Sequence, residues 1–296
     1  MKINFIKISN ITLPISILLC MISLLLIIKS EINWGIEFTG GTEIEIRFKD
    51  KVEIETIKKK FKNLSNAKIK YFGSNKSIQL KIKNDKSKIE DKIEKIKYII
   101  YNENPIYENA EIIKVDSLGE EMNRETINNC LIAALIAIIA MMMYLTYRFE
   151  YIFAISAILA LIHDVIITSG VIVFTDIEFD LTILAALFTV FGYSINDTIV
   201  VFDRIREYSK KNDTINNIDI INKSINRTLS RTLITSISTL FVTIVLAIFG
   251  GKSLFGFSLV ISLGIIIGTY SSIFIAAIII FKLKKKSSKF NNYFNI

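Results

Sequence analysis

Six stretches of the chain are apolar almost without interruption: Ile11–Ile28, Ile127–Tyr147, Tyr151–Phe174, Leu181–Phe202, Leu229–Phe249 and Phe255–Phe281. Each is near the ~20 residues that an α-helix needs to cross a bilayer, so the pattern predicts six transmembrane helices. Between the first and second the period changes. "TEIEIRF" sets Ile44, Ile46 and Phe48 against charges, as a strand does, and "VEIETIKKKF" brings Val52, Ile54, Ile57 and Phe61 near helical spacing. "AKIKYFG" and "SIQLKIK" alternate again around "GSNKS", which is hairpin chemistry. "KSKIEDKIEKIKYII" repeats Ile89, Ile93, Ile96 and Ile100 on one helix face, and "AEIIKV" supplies a last strand. The order β-α-β-β-α-β is the split, ferredoxin-like arrangement. The fold class is thus a polytopic α-helical membrane protein with one α+β outer domain. Residues 1–29 form the N-terminus and first span, 30–125 the outer domain, 126–281 spans two to six, and 282–296 a basic tail.

Composition agrees, with 51% apolar residues and a mean hydropathy of +0.46. Charge adds the orientation. Lys2 and Lys7 precede the first span, Arg148 follows the second, and Arg204, Arg206, Lys210, Lys211, Lys223 and Arg227 crowd the connection after the fourth. Lys282, Lys284, Lys285, Lys286 and Lys289 fill the tail, whereas the alternate connections hold Asp176, Glu178 and Asp180, or Lys252 alone. The asymmetry predicts both termini in the cytoplasm and the inserted domain on the outer, periplasmic side. The net charge of +8 is then a topology signal and not a nucleic-acid surface. The basic "MKINFIK" also suits a signal peptide, but "IIKSEINWG" offers no small-x-small cleavage site, so an uncut anchor is expected.

Several chemistries are excluded. Cys20 and Cys130 fall in apolar spans, which disfavours a disulfide framework, and the insertion has neither His nor Cys to hold a transition metal. "GGKS" at 250–253 lacks the earlier glycine of a phosphate loop, because Leu246 stands there. "FTGGT" at 38–42 reads as a tight turn before the first strand. No cofactor, metal or catalytic group is expected, and the chain reads as a non-enzyme.

The exceptions to apolarity carry the candidate chemistry. The fourth span holds Thr189, Tyr193, Asn196 and Asp197 at i, i+4 and i+7/i+8, a polar stripe on an apolar helix. Asp203 lies beside Arg204 and Arg206, as an interfacial ion-pair member would. The third span carries His163 and Asp164, with Thr168 one turn on. The fifth has Arg231, Thr235, Thr239 and Thr243 at steps of four, and the sixth has Gly264, Gly268 and Ser272, a small-xxx-small packing series. A charge at a helix centre costs ~2.5–3.5 kcal/mol on insertion scales, so Asp164 and Asp197 need partners or a function. Arg231 is the natural ion-pair candidate for Asp197, and such a pair reads either as a proton switch or as a structural salt bridge. Burial favours a neutral carboxyl and a neighbouring guanidinium favours a charged one, so a group between the two can take up and release a proton.

"GIEFTGGT", "LIHDVIIT", "GYSINDTIVVFDRIRE", "RTLITS" and "GFSLVISLGIIIGTYSSI" together resemble the SecD/SecF protein-export family, in its smaller SecF branch, over the whole chain. The resemblance implies membership of the resistance-nodulation-division superfamily and pairing with SecD in a pseudo-symmetric twelve-helix unit. It implies association with the SecYEG channel, often with YajC, and use of the proton motive force to complete preprotein export across the cytoplasmic (inner) membrane. Family proton-relay positions match Asp197 and Arg231, and His163-Asp164 matches another family motif; Asn196 completes the relay candidates. Two other readings remain: a proton-coupled half-transporter for a small hydrophobic solute, and a passive scaffold of a membrane assembly.

Overall fold

A computed structural model describes residues 3–60, 67–72, 74–82, 110–211 and 217–283, together with Glu94, Ile96 and Tyr98. The chain divides into two units, Met1–Asn33 with Leu135–Ile296, and Trp34–Ala134. Among the described residues, six helices are long and apolar enough to cross a membrane. They are α1 (Phe5–Lys29), α4 (Glu120–Arg148), α5 (Tyr151–Phe174), α6 (Leu181–Lys211), α7 (Asn217–Phe249) and α8 (Gly251–Ser271). From α8 the chain runs through a π-helical turn, Ser272–Ala276, back into α-helix. The two other described helices, α2 (Ile36–Thr39) and α3 (Ile54–Lys60), belong to the second unit.

Most membrane helices overrun their apolar stretches. A helix satisfies its own backbone polar groups, so polar turns can continue it beyond hydrocarbon. The starts of α1 and α6 are capped: Asn4 Oδ1 accepts from Lys7 N (3.1 Å) and Asp180 Oδ1 accepts from Ile183 N (2.7 Å). Burial is uneven. The apolar window of α8 is 67% buried and that of α4 only 6%, which makes α8 the packed centre, flanked by α5, α6 and α7. Towards the end carrying the N-terminus, Phe202 meets Phe149 and Phe153 edge-on, at centroid distances of 6.2 and 5.2 Å. Towards the other end, Ile172, Ile183, Leu187, Val260 and Ile265 form a separate cluster. The Arg148 side chain pairs with Asp203 at 3.2 Å, while Arg204 pairs with Glu207. Asp203 therefore takes its ion pair from α4 and not from its sequence neighbours.

Gly264 faces Val190 of α6, and a Cβ there would overlap the valine side chain; a Cβ at Gly268 would stand 3.0 Å from Ser194 Cβ. The two glycines let α6 and α8 approach closely, as small residues do in membranes. Gly264→Ala is expected to lower the thermal denaturation midpoint of the detergent-solubilised protein, by the ~1–3 kcal/mol typical of overpacking. An unchanged midpoint would mean that α6 and α8 separate without cost.

In the second unit, β1 (Gly41–Arg47), β2 (Ala67–Phe72), β3 (Ser74–Ile82) and β4 (Glu111–Leu118) form an antiparallel sheet in the order β2-β3-β1-β4. That is the order of the ferredoxin-like arrangement. Ile44, Ile46, Ile78, Leu80 and Ile82 line one face, over which Val52, Ile57 and Ile96 pack. Phe61, Gly73, Ile89, Ile93 and Ile100 lie outside the described residues, as does the tail beyond Leu283. Gly40 (φ 66°) and Gly41 (φ 131°) connect α2 to β1 in backbone conformations that a Cβ would strain.

Candidate functional site

The two intramembrane carboxylates are held very differently. Asp164 on α5 is fully buried. Its Oδ1 lies 2.9 Å from His163 Nδ1, and its Oδ2 accepts from Ser194 Oγ of α6 (2.6 Å) and Ser271 Oγ of α8 (2.7 Å). Three helices thus converge on one carboxylate, and its hydrogen-bonding capacity is well used. His163 stacks on Tyr270, with centroids 6.4 Å apart. Tyr270 in turn donates to the Thr12 carbonyl (2.9 Å) and bonds Ser16 of α1 (2.8 Å). His163 Nε2 and Thr168 Oγ1 are buried with no hydrogen-bond partner among the described residues.

Asp197 on α6 is also buried, with 4% of its surface exposed. It faces α7, where its one hydrogen bond among the described residues, from Ser236 Oγ, is at the outer limit of 3.5 Å. Ser236 also bonds Thr269 (2.7 Å) and accepts from Tyr193 OH (3.1 Å). A chain of hydroxyls from three helices therefore ends on a carboxylate that it barely touches.

The expected Asp197–Arg231 contact is absent. Among the described residues no ion pair within 4.0 Å joins them; Arg231 stands on the exposed face of α7, within electrostatic reach of Asp197 but not bonded to it. The reason is geometric. A step of four residues turns an α-helix by about 400°, so an i+4 ladder drifts about 40° per step. Arg231 and Thr235 are exposed, Thr239 is half-buried and Thr243 is buried: the ladder winds from the outside to the inside. Thr235 and Thr239 spend their hydroxyls on carbonyls of their own helix. The stripe on α6 splits likewise. Tyr193 and Asp197 turn inward, whereas Asn196 is exposed and Thr189 is exposed and bonded to the Ala185 carbonyl.

Ser194, Ser236, Thr269 and Ser271, the groups that touch the carboxylates or relay to them, were not singled out by sequence reasoning. Isolated hydroxyls on apolar helices carry no periodic signal. Ser271 and Ser272 are consecutive, yet both point inward: Ser271 to Asp164, Ser272 to Thr198 (2.9 Å) and the Ser194 carbonyl (3.2 Å). Successive residues of an α-helix diverge by about 100°, and both are buried because α8, which passes into the π-helical turn at Ser272, is packed against α5, α6 and α7 at once. "YSS" gave no sign of that turn.

The SecD/SecF C-terminal family of protein export membrane proteins matches residues 100–286, and the SecD/SecF GG motif matches residues 26–52, which include Gly40 and Gly41. The Protein translocase subunit SecF of Vibrio alginolyticus is 39% identical over 283 residues, covering 95% of this chain and 90% of its own. That of Calditerrivibrio nitroreducens is 41% identical over 289 residues, covering 96% and 94%. Among solved structures, SecDF of Thermus thermophilus, a translocon-associated membrane protein, superposes with a TM-score of 0.88 at 31% identity over 96% of this chain. SecDF in its Super-membrane-facing form gives 0.70 at 30% identity over 99%. The chain spans only 39% and 40% of the lengths of those two SecDF chains.

Proposed function

Because this chain belongs to the SecD/SecF family of protein export membrane proteins, with SecF translocase subunits as its full-length relatives, we propose that it couples inward proton movement to preprotein export, with Asp197 as the working carboxylate. The observation that carries this is the contrast between the two acids. Asp164 has three close hydrogen-bond partners, whereas Asp197, also buried, has among the described residues one long contact and no ion partner within 4.0 Å. A carboxyl so placed can change its charge with few bonds to break, and intramembrane ionisable residues are functional by default. Its neighbours Ser236, Thr269 and Tyr193 are hydroxyls that can both donate and accept, as a proton path requires.

In this reading the chain sits in the cytoplasmic (inner) membrane, both termini inside, because Lys and Arg crowd the N-terminus and the connection after α6. SecD supplies the other half of the helical unit, facing the little-buried α4 and the exposed Arg231 and Asn196. The SecYEG channel and YajC complete the assembly. The ferredoxin-like domain, a binding and coupling module without catalytic groups, would hold or release the emerging chain; protons are the only coupling species, and no cofactor, metal or enzymatic step is involved. Co-purification with SecD, and gradient-stimulated export by the reconstituted complex, test this reading. Export that ignored the gradient would favour a passive scaffold, and a substrate-dependent efflux phenotype without SecD would favour the half-transporter.

A further inference from the structure

At the end of the membrane unit that carries the N-terminus, a cavity of about 650 Å³ opens between the start of α1, the last turns of α6 and the first turns of α7. That lies within the ~300–1,000 Å³ of small-molecule sites. From α7 it is lined by Asp219, Asn222, Lys223, Asn226 and Arg227, positions i, i+3, i+4, i+7 and i+8 that share one helix face; Tyr208 adds a phenol from α6.

The polar groups of this wall divide into two sets. The amides are committed: Asn226 Oδ1 accepts from Ile3 N (3.1 Å), Asn222 Oδ1 from Ile6 N (3.2 Å), Asn226 Nδ2 donates to the Ile3 carbonyl (2.8 Å) and Asn222 Nδ2 to Asn4 Oδ1 (3.2 Å). They fasten the start of α1 to α7 and hold the cavity's shape. Lys223 and Arg227, one turn apart, make no ion pair or hydrogen bond among the described residues, nor does the Tyr208 hydroxyl. The positive N-terminal end of the 25-residue α1 adds to the same field.

We propose that this cavity is a binding site for a singly charged phosphate group, such as the phosphodiester of an anionic phospholipid. Among the described residues of the lining, Lys223 and Arg227 against Asp219 leave a net charge of +1, which matches a diester. Arg227 offers a planar fork for two phosphate oxygens, Lys223 a point charge and Tyr208 a neutral donor. The level is that of lipid headgroups, since α7 enters its apolar stretch at Leu229, two residues beyond Arg227. Basic pockets between membrane helices at this depth suit such headgroups.

The test uses the full chain in detergent, titrated with phosphatidylglycerol, phosphatidylcholine and inorganic phosphate, with retained ligand counted by native mass spectrometry. Phosphatidylglycerol is expected to bind well above phosphatidylcholine. K223Q/R227Q should weaken it by about 30-fold, the loss expected for two interfacial cations, while K29Q/K282Q, which removes two exposed lysines that do not line the cavity, should leave it unchanged. Binding of inorganic phosphate with the same dependence on Lys223 and Arg227 would support the site and assign it to free phosphate as well. Equal retention of the two lipids, or equal losses in the two double variants, would overturn it. Neither result bears on proton coupling, because no residue of this cavity touches Asp197.

Discussion

Asp197→Asn is expected to abolish the stimulation of export by a proton gradient while leaving the protein assembled with its SecD partner. Asn has the shape of Asp, can still accept from Ser236 and removes a charge from hydrocarbon, so folding should not suffer. What it removes is the exchangeable proton. Moving one charge through 100 mV is worth ~2.3 kcal/mol, about fifty-fold in an equilibrium between two helix arrangements, and this bias is lost when the site cannot change its charge. Export in reconstituted vesicles, with and without an imposed gradient, should fall in the variant to the gradient-free rate. Ser236→Ala, which removes the 3.5 Å contact to Asp197 and the bonds to Thr269 and Tyr193 but leaves the carboxyl able to change its charge, should cost less. Full stimulation with Asp197→Asn would put the proton path elsewhere and leave this carboxylate a structural feature.

The architecture was legible because hydrophobic length and period are dictated by solvent. A helix must be apolar for about 30 Å to sit in hydrocarbon, and a half-buried strand must alternate. Ile44 and Ile46 on one face of β1, and Leu181 at the start of α6, follow from those two constraints alone. The two carboxylates were legible for the same reason, since Asp164 and Asp197 interrupt apolar runs. Their surroundings were not. The ladder from Arg231 to Thr243 has perfect i+4 spacing, yet its 40° drift turns Arg231 outward and leaves Ser236, in none of the ladders, facing Asp197. Spacing gives a face only over two turns or so; beyond that, packing decides which side is inside.

That distinction matters most for Asp164, where the structure indicates a different role from that of Asp197. Its carboxylate ties α5 to Ser194 of α6 and to Ser271, the last residue of α8 before the π turn. Asp164→Ala would strip the acceptor from three buried donors at once. Each such group costs ~1–3 kcal/mol, somewhat less for Ser271, which also reaches the Gly268 carbonyl at 3.1 Å. A loss of about 3–5 kcal/mol is expected, seen as a large drop in the thermal midpoint and weakened assembly. Asp164→Asn should behave otherwise. Its carbonyl oxygen can take both serine hydroxyls, and its amide can donate to His163 Nδ1 once the imidazole carries its proton on Nε2, the nitrogen that has no partner. The Asn variant should therefore fold nearly normally and keep most of its gradient-stimulated export. The two isosteric substitutions separate the two roles: a charge is needed at Asp197, whereas a pair of acceptor lone pairs is needed at Asp164. Loss of stimulation in a stable, assembled Asp164→Asn protein would make Asp164 a second proton site and would extend the path across α6 to the His163–Tyr270 stack.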